Sequence, residues 1–147
     1  MLLTFSSDDF VQKIKDRTKI HTIRADKHDR WKEGMKIHFW RGNPRNVKSH
    51  PYAFGEGVVE KIDTVKFLLP YRGQFPSVKL NGHLQCPSEI VQLAKDDGFD
   101  SVNDFFEWFL RSPTSGENIW QGKIIHWEQA TLNFFQSETN SNQLKLL

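Results

Sequence analysis

The pattern of apolar and polar residues predicts strands through most of the chain, with two helices together in its second half. Strands are predicted where apolar and polar residues alternate or where β-branched residues are concentrated. The predicted strands are residues 1–5, 21–24, 35–41, 57–69, 77–80, 83–86 and 119–128. Between residues 57 and 69 the alternation is uneven, which predicts a bulge or a bend in the longest strand.

Three helices are predicted from apolar residues at helical spacing and from residues typical of helix ends. The first follows the first strand and is capped by Ser7. The second covers residues 87–95, with a proline at its start and Gly98 placed to end it. The third begins at Ser101, whose side chain can cap it, and has a body rich in phenylalanine.

The order of these elements predicts an α+β fold. We expect a mostly antiparallel sheet of about five to seven strands, with a helix after strand 1 and a helix pair before the last strand. Asn81-Gly82 between two short strands predicts a tight hairpin, and this number of strands would allow the sheet to close into a small β-barrel. Residues 1–130 are predicted to form one domain and residues 131–147 a polar tail.

Composition narrows the setting in which the protein works. The chain has 147 residues and a single cysteine, Cys86, so no internal disulfide and no Cys-x-x-Cys metal pair can form. Polar residues follow the first five residues too early for a signal peptide. No two histidines lie one helical turn apart in a predicted helix, so no metal site and no cofactor are expected. We therefore expect a cytoplasmic protein with no membrane partner.

Basic residues are concentrated in the first third of the chain, although the net charge is only +2. They are interleaved there with Trp31, His38 and Trp40. This asymmetry favours a phosphate-bearing or nucleic-acid partner. A solvated face whose acidic partners lie elsewhere in the fold explains it equally well.

Residues 19–24, Lys-Ile-His-Thr-Ile-Arg, combine an amine, a hydroxyl and a guanidinium in one short segment. Amide hydrolysis needs a nucleophile, a base and a site for the oxyanion, and Thr22, Lys19 and Arg24 can fill these roles. A lysine base requires that its pKa fall by about three units, which burial and a nearby arginine would favour. Because residues 22 and 24 share one face of a strand and residue 19 does not, Lys19 must precede the strand or lie beside a bulge.

Four motifs in this order resemble the ASCH domain family. They are Lys-x-x-Thr-x-Arg at residues 19–24, the turn from Trp31 to Gly34, Asp97-Gly98-Phe99, and Phe105-Phe106 in the third helix. The first motif alone would recur by chance, whereas the four together in register would not. The resemblance covers about residues 2–128 and implies a PUA-like β-barrel fold.

The resemblance implies two kinds of function. ASCH domains resemble RNA-binding PUA domains, and a small bacterial branch hydrolyses the amide of N4-acetylcytidine and related N4-acylated cytosines. By position, Lys19 would be the base, Thr22 the nucleophile and Asp97 the acidic partner, where that branch has a glutamate. Because a carboxylate stabilises a nearby ammonium, a lysine base requires Asp97 to lie nearer to Thr22 or the substrate amine than to Lys19.

The predicted substrate-binding residues are Arg24, His21, Trp31, Trp40 and Tyr52, of which the last three can stack on a base. The other large aromatic residues are assigned to the core, namely Phe105, Phe106, Trp108, Phe109, Trp120 and Trp127.

Three functions stay open, with a modified nucleoside or RNA as the partner. The first is hydrolysis of an N4-acylated cytidine. The second is a non-catalytic RNA- or nucleotide-binding module in which Lys19 and Arg24 contact phosphate. The third, a ribonuclease, is weakened by the lack of a well-placed histidine pair. In a structural interpretation, Lys19 is a surface lysine, Thr22 an ordinary strand residue and Arg24 an ion-pair partner of Asp97 or Asp26.

Overall fold

In the computed structural model the described residues are 1–68, 75–110 and 119–136, and within them the chain has an α+β fold of eight strands and three helices. The helices are α1 (Asp8–Lys15), α2 (Pro87–Asp96) and α3 (Val102–Leu110). The strands are β1 (Leu2–Phe5), β2 (His21–Arg24), β3 (Lys36–Arg41), β4 (Tyr52–Leu68), β5 (Ser77–Leu80), β6 (His83–Leu84), β7 (Ile119–Trp127) and β8 (Asn133–Phe134).

Strand β4 is the spine of the sheet. Its first half pairs antiparallel with β3 and β8, and its second half pairs antiparallel with β5 and β7. The register against β7 shifts between Val59 and Lys61, which confirms the predicted irregularity in the longest strand. Strand β2 pairs with β7, and β1 pairs with β3 in the one parallel pairing of the described strands.

The predicted closed barrel is wrong for the described strands. Strands β1, β2, β6 and β8 each have a single partner, so the sheet stays open. The gap between β1 and β2 is bridged by a side chain: Arg24 Nη2 donates to the Thr4 carbonyl oxygen at 2.8 Å. The guanidinium thus joins these two strands where a barrel would need a backbone ladder.

The described residues form two hydrophobic cores. The first packs α1 against β1, β3 and the first half of β4, and includes Phe39, Phe54 and Trp127. The second packs α2 and α3 against β2, β7 and the second half of β4, and includes Phe67 and Phe105. The bent spine strand serves both cores, which explains why one long strand supports two helical layers.

Most predicted elements are confirmed within one or two residues. The largest differences are that β4 begins at Tyr52 instead of residue 57, and that β6 ends at Leu84 instead of residue 86. The strand count of five to seven is too low, because β8 pairs Asn133 and Phe134 with β4. The helix pair therefore precedes β7, which is not the last strand. Most of the predicted polar tail lies outside the described residues.

The hairpin between β5 and β6 has the backbone that its sequence predicts. Asn81 and Gly82 both have positive φ, 50° and 83°, as a type I′ turn requires. None of the described helices is long and apolar enough to span a membrane.

Candidate functional site

Lys19 lies between α1 and β2, as strand periodicity requires. After α1 the chain turns at Arg17, whose φ is 65°, and the Lys19 amide donates to the Lys13 carbonyl oxygen at 3.0 Å. The Ile20 amide then donates to the Asp96 carbonyl oxygen at 2.9 Å. The start of β2 is therefore attached to the end of α2, where Asp97 follows.

Asp97 and Gly98 form the end of α2. The Asp97 amide donates to the Leu93 carbonyl oxygen at 3.0 Å, and Gly98 has a φ of 91°, which favours glycine. A Cβ atom at Gly98 would lie 3.0 Å from Lys19 Cδ, so this glycine also leaves room for the lysine stem. Lys13 Nζ donates to the Gly98 carbonyl oxygen at 2.8 Å and fixes α1 to this turn.

Lys19 and Asp97 form a buried ion pair. Each residue is 2% exposed, and Lys19 Nζ lies 2.5 Å from the Asp97 carbonyl oxygen and 3.2 Å from Oδ1. The same nitrogen lies 4.9 Å from the centroid of the Phe10 ring. Removing two charges from water carries a desolvation penalty that can exceed the free energy gained from their attraction. A buried pair of this kind is therefore weak evidence of a role in stability alone.

Burial shifts the pKa values of both partners toward their neutral forms. Burial lowers the pKa of Lys19 to about 8, against the opposing attraction of Asp97. Burial raises the pKa of Asp97 to about 6, against the opposing attraction of Lys19. The ion pair still dominates near neutral pH. The neutral pair, in which the proton has moved from the amine to the carboxylate, is closer to it in free energy than it would be in water.

Thr22 and Arg24 share one face of β2, as predicted. Arg24 Nε donates to Thr22 Oγ1 at 3.3 Å, and the guanidinium carbon lies 4.9 Å from the centroid of the Phe5 ring. Burial lowers the pKa of Arg24, but an arginine keeps its charge at any physiological pH. A fixed cation therefore lies beside the threonine hydroxyl.

These four side chains line one pocket of about 280 Å³ at the edge of the sheet. The full lining is Thr4, Phe5, Ser6, Phe10, Lys19, Thr22, Ile23, Arg24, Asp97, Phe99, Trp108 and Phe109. The pocket lies just below the range of ~300–1,000 Å³ that is typical of sites for drug-sized ligands, so it suits a small ligand. Five of these twelve residues are aromatic and six are polar or charged, so polar groups converge between aromatic side chains.

The other predicted binding residues do not line this pocket. His21 lies behind it, fully buried, with Nε2 3.6 Å from Asp97 Oδ1. Trp31 is part of the first core, and Tyr52 packs against that core. Trp40 is partly buried on β3, where it pairs with Thr4 of β1. Sequence reasoning could not separate these aromatic residues from the core ones, because composition does not tell which face of a strand meets a pocket.

Trp108 is predicted to lie in the core, and this prediction is wrong. Its side chain is 47% exposed and lines the pocket, with its ring centroid 5.8 Å from Phe10 and 5.9 Å from Phe99. The apolar stripe of α3 is broader than the core can cover. The signal that could have identified it is helical phase. Phe105, Phe106 and Phe109 are buried, and Trp108 lies about 100° around the helix axis from the centre of that buried face.

A second, larger cavity of about 810 Å³ is an open groove. Its lining begins at Ala25, the residue that follows Arg24 in the chain. Residues from β4, β5, β7 and the segment after β2 line it. Four of them are lysines: Lys27, Lys66, Lys79 and Lys123. Lys123 is held by Asp29 and, at 3.5 Å, by Asp26. We call this cavity the lysine groove.

Two of these lysines oppose each other directly across the sheet. Lys66 of β4 and Lys79 of β5 are register partners, and neither forms an ion pair with a residue that the structure describes. Like charges directly opposite in a sheet are destabilising. The pair is therefore a local cost in free energy that an anion bound in the groove would relieve.

The pocket holds the groups that acyl transfer needs. Thr22 supplies a hydroxyl, Arg24 a fixed cation beside it, and Lys19 an amine whose pKa is lowered toward neutrality. One requirement fails as first stated, because Asp97 contacts Lys19 and not Thr22. Within the described residues no group of three or more His, Cys, Asp or Glu side chains is placed to hold a metal ion.

Comparison of the chain with models of protein families, with curated proteins and with solved structures finds no match in any of the three.

Proposed function

We propose that this chain is an ASCH-domain protein with a PUA-like ancestry, and that its pocket hydrolyses the N4-acyl amide of an acylated cytosine or cytidine. The observation that carries the proposal is the convergence of Lys19, Thr22, Arg24 and Asp97 on one small pocket. Two segments separated by more than seventy residues supply these groups. Buried charges of this kind are costly, and a binding or catalytic role explains why they are present together.

The reaction begins with Thr22. Its hydroxyl oxygen attacks the acyl carbon while its proton moves to the neutral amine of Lys19, and the resulting oxyanion is stabilised by the Arg24 guanidinium. Lys19 then returns the proton to the exocyclic nitrogen as the carbon–nitrogen bond breaks. Water cleaves the acyl-threonine in a second step of the same kind, which releases the carboxylate.

Lys19 must be neutral for this step, and the structure supplies a place for its proton. Asp97 lies in contact with Lys19, and burial raises the pKa of Asp97 to about 6 and lowers that of Lys19 to about 8. Burial disfavours both charges, so transfer of the proton from Lys19 to Asp97 costs less free energy here than it would in water. The acid beside the lysine thus serves as the acceptor that frees the base.

The test is incubation of the purified protein with N4-acetylcytidine, with release of cytidine followed by chromatography. We expect turnover that is lost in Lys19→Ala and Thr22→Ala. The matched control is Thr18→Ala, because Thr18 is an exposed threonine near the same strand and does not line the pocket. Folding of every variant is checked by circular dichroism and urea unfolding. Absence of turnover at high enzyme concentration would sink the proposal for this substrate.

A second candidate function is binding of RNA or a nucleotide, and the lysine groove favours it. Lys19 and Arg24 are already engaged by protein groups, so phosphate contacts would come from Lys27, Lys66 and Lys79 instead. Each lysine that contacts phosphate contributes about one to the slope of log affinity against log salt.

The test of this second function is binding of a fluorescent single-stranded RNA at several salt concentrations. We expect Lys66→Gln and Lys79→Gln each to weaken binding and to reduce the salt slope. The matched control is Lys95→Gln, since Lys95 is exposed on α2 and does not line the groove. Equal affinities and slopes for all four proteins would exclude the groove as the binding surface.

A further inference from the structure

The imidazole side chain of His21 is buried and has no hydrogen-bond partner among the described residues. It is 2% exposed at the start of β2, and both ring nitrogens lack a partner. A buried polar group left unpaired costs about 1–3 kcal/mol. His21 does not line the pocket, so direct contact with a ligand does not explain it.

The ring of His21 faces the carboxylate of the buried pair. Its Nε2 lies 3.6 Å from Asp97 Oδ1, the oxygen that also lies 3.2 Å from Lys19 Nζ. One carboxylate oxygen therefore lies between the lysine amine and the imidazole. A movement of a few tenths of an ångström would bring the Nε2–Oδ1 distance into hydrogen-bonding range.

The other surroundings of His21 keep its ring neutral. Burial holds the pKa of His21 well below its usual range, and the charge of Lys19 acts in the same direction, as do His126 and Lys61. The ring of His126 packs against it at 5.1 Å between centroids and 72° between planes. His126 is itself engaged, since its Nε2 lies 2.8 Å from Asp63 Oδ2.

A neutral imidazole can hold Asp97 in either ionisation state. With its proton on Nε2 it donates to the carboxylate, and with its proton on Nδ1 it accepts from the carboxylic acid. Lys19, Arg24 and Asp96 are the other charged groups that act on Asp97. Arg24 is a cation and cannot accept a hydrogen bond from the acid, and the Asp96 carboxylate accepts from Gln92. The free amine of Lys19 needs its lone pair for the proton of Thr22. His21 is the neighbour suited to that task.

We propose that His21 is a positioning residue that accepts the carboxyl proton of Asp97 in a hydrogen bond whenever Lys19 becomes a free amine. The proposal rests on the proposed function, since it assigns the proton that the Lys19 base must lose. The balance is simple: one proton leaves Lys19 Nζ and bonds to Asp97 Oδ1, and the new hydroxyl donates to His21 Nε2. The pair becomes neutral and no charge leaves the site.

The first test measures Asp97 without any substrate. The carboxyl carbon of Asp97 is followed by NMR against pH in the wild type, His21→Phe and His21→Gln. The ionised carboxylate keeps Lys19 as a donor in every variant, so phenylalanine removes more stabilisation from the acid than from the carboxylate. We therefore expect the midpoint of Asp97 to fall by about one pH unit, whereas glutamine, which keeps an acceptor, should restore most of it. His126→Phe is the matched control, because it keeps a ring against His21 and does not contact Asp97.

An Asp97 midpoint that is the same in His21→Phe as in the wild type would overturn the proposal. So would an equal fall in His126→Phe, which would show a general effect of altered packing. If His21→Phe does not fold, His21→Met, which is apolar and flexible, replaces it in the same titration.

The second test is turnover of N4-acetylcytidine. We expect kcat of His21→Phe to fall about tenfold near neutral pH with KM unchanged, and His21→Gln to recover most of the loss. A rise in KM with kcat unchanged would contradict a positioning role. If the Asp97 midpoint moves as expected while the wild type has no turnover, the link between His21 and Asp97 stands and the amidohydrolase proposal fails.

Discussion

The pocket and the lysine groove lie next to each other at the end of β2. The charged side chains of the pocket are buried and paired, whereas those of the groove lie in an open space. In the pocket, Lys19 and Asp97 are buried and paired, and both pKa values are shifted toward the neutral form. In the groove, Lys66 and Lys79 face each other in an open space without an acidic partner in the described chain. Arg24 lines the pocket and the next residue, Ala25, lines the groove.

This difference in burial suits the two sites to different functions. Desolvation in the pocket brings proton transfer within reach near neutral pH, which suits chemistry. Solvent in the groove screens the lysines, which suits attraction of an anion that needs no fixed geometry. Substitutions in the pocket should therefore change stability strongly, and substitutions in the groove should change it weakly.

The largest effect on stability is expected from breaking the buried pair. Lys19→Ala leaves Asp97 as a buried acid without its cation and creates a cavity beside Phe10. We expect a loss of about 3–5 kcal/mol in the free energy of unfolding at pH 8, measured by urea unfolding.

The control replaces both partners. Lys19→Met with Asp97→Leu removes both charges and keeps apolar volume, so we expect stability within about 1 kcal/mol of the wild type, or above it. A single variant as stable as the wild type would show that the pair is not buried in solution.

The pH dependence of stability follows from the same pair. The native state binds more protons than the unfolded state between pH 3.8 and about 6, because the pKa of Asp97 is raised, so stability falls as pH rises through that window. Between about 8 and 10.5 the unfolded state binds more protons, because the pKa of Lys19 is lowered, so stability rises with pH.

Each of these two limbs is worth about 3 kcal/mol at most. Urea unfolding of the wild type and of the Lys19→Met/Asp97→Leu variant across this range measures both limbs by difference. A difference that does not change with pH would contradict the shifted pKa values.

Substitution of Trp108 tests whether a nucleobase stacks on this side chain in the pocket. It is half-exposed at the pocket, so Trp108→Ala should cost little stability, but a stacked base is worth about 1–3 kcal/mol. We expect about tenfold weaker binding of cytidine by calorimetry. Trp40→Ala is the comparison, because Trp40 does not line the pocket. Equal losses in the two variants would argue against stacking on Trp108.

The local pattern of the sequence predicted much of this fold and half of the site. Strand β2, the three helices and the Asn81-Gly82 turn follow from periodicity, capping and turn chemistry, which act over a few residues. The position of Lys19 before β2 follows from the same periodicity. These features are local, so the sequence contains them directly.

The remaining features depend on contacts between distant segments. The contact between Arg24 and Thr4 joins β1 and β2, which do not pair with each other, and no local pattern encodes that bridge. Contact of Asp97 with Lys19 depends on α2 ending beside β2. The exposure of Trp108 depends on how much of α3 the second core can cover. Each of these is a result of packing, and propensity alone does not determine packing.

The smallest predicted effect is in the groove, and it has the opposite sign to those in the pocket. Lys79→Glu replaces a like-charge pair with an attractive one opposite Lys66, so we expect the protein to become more stable by about 0.2–1 kcal/mol at low salt. The gain should shrink as salt is raised, since both side chains reach solvent. Lys79→Gln removes the repulsion without adding attraction and should fall between the two proteins in urea unfolding. If Lys79→Glu is less stable than the wild type at low salt, the two lysines do not repel each other, and the groove loses the unfavourable pair that argues for an anion.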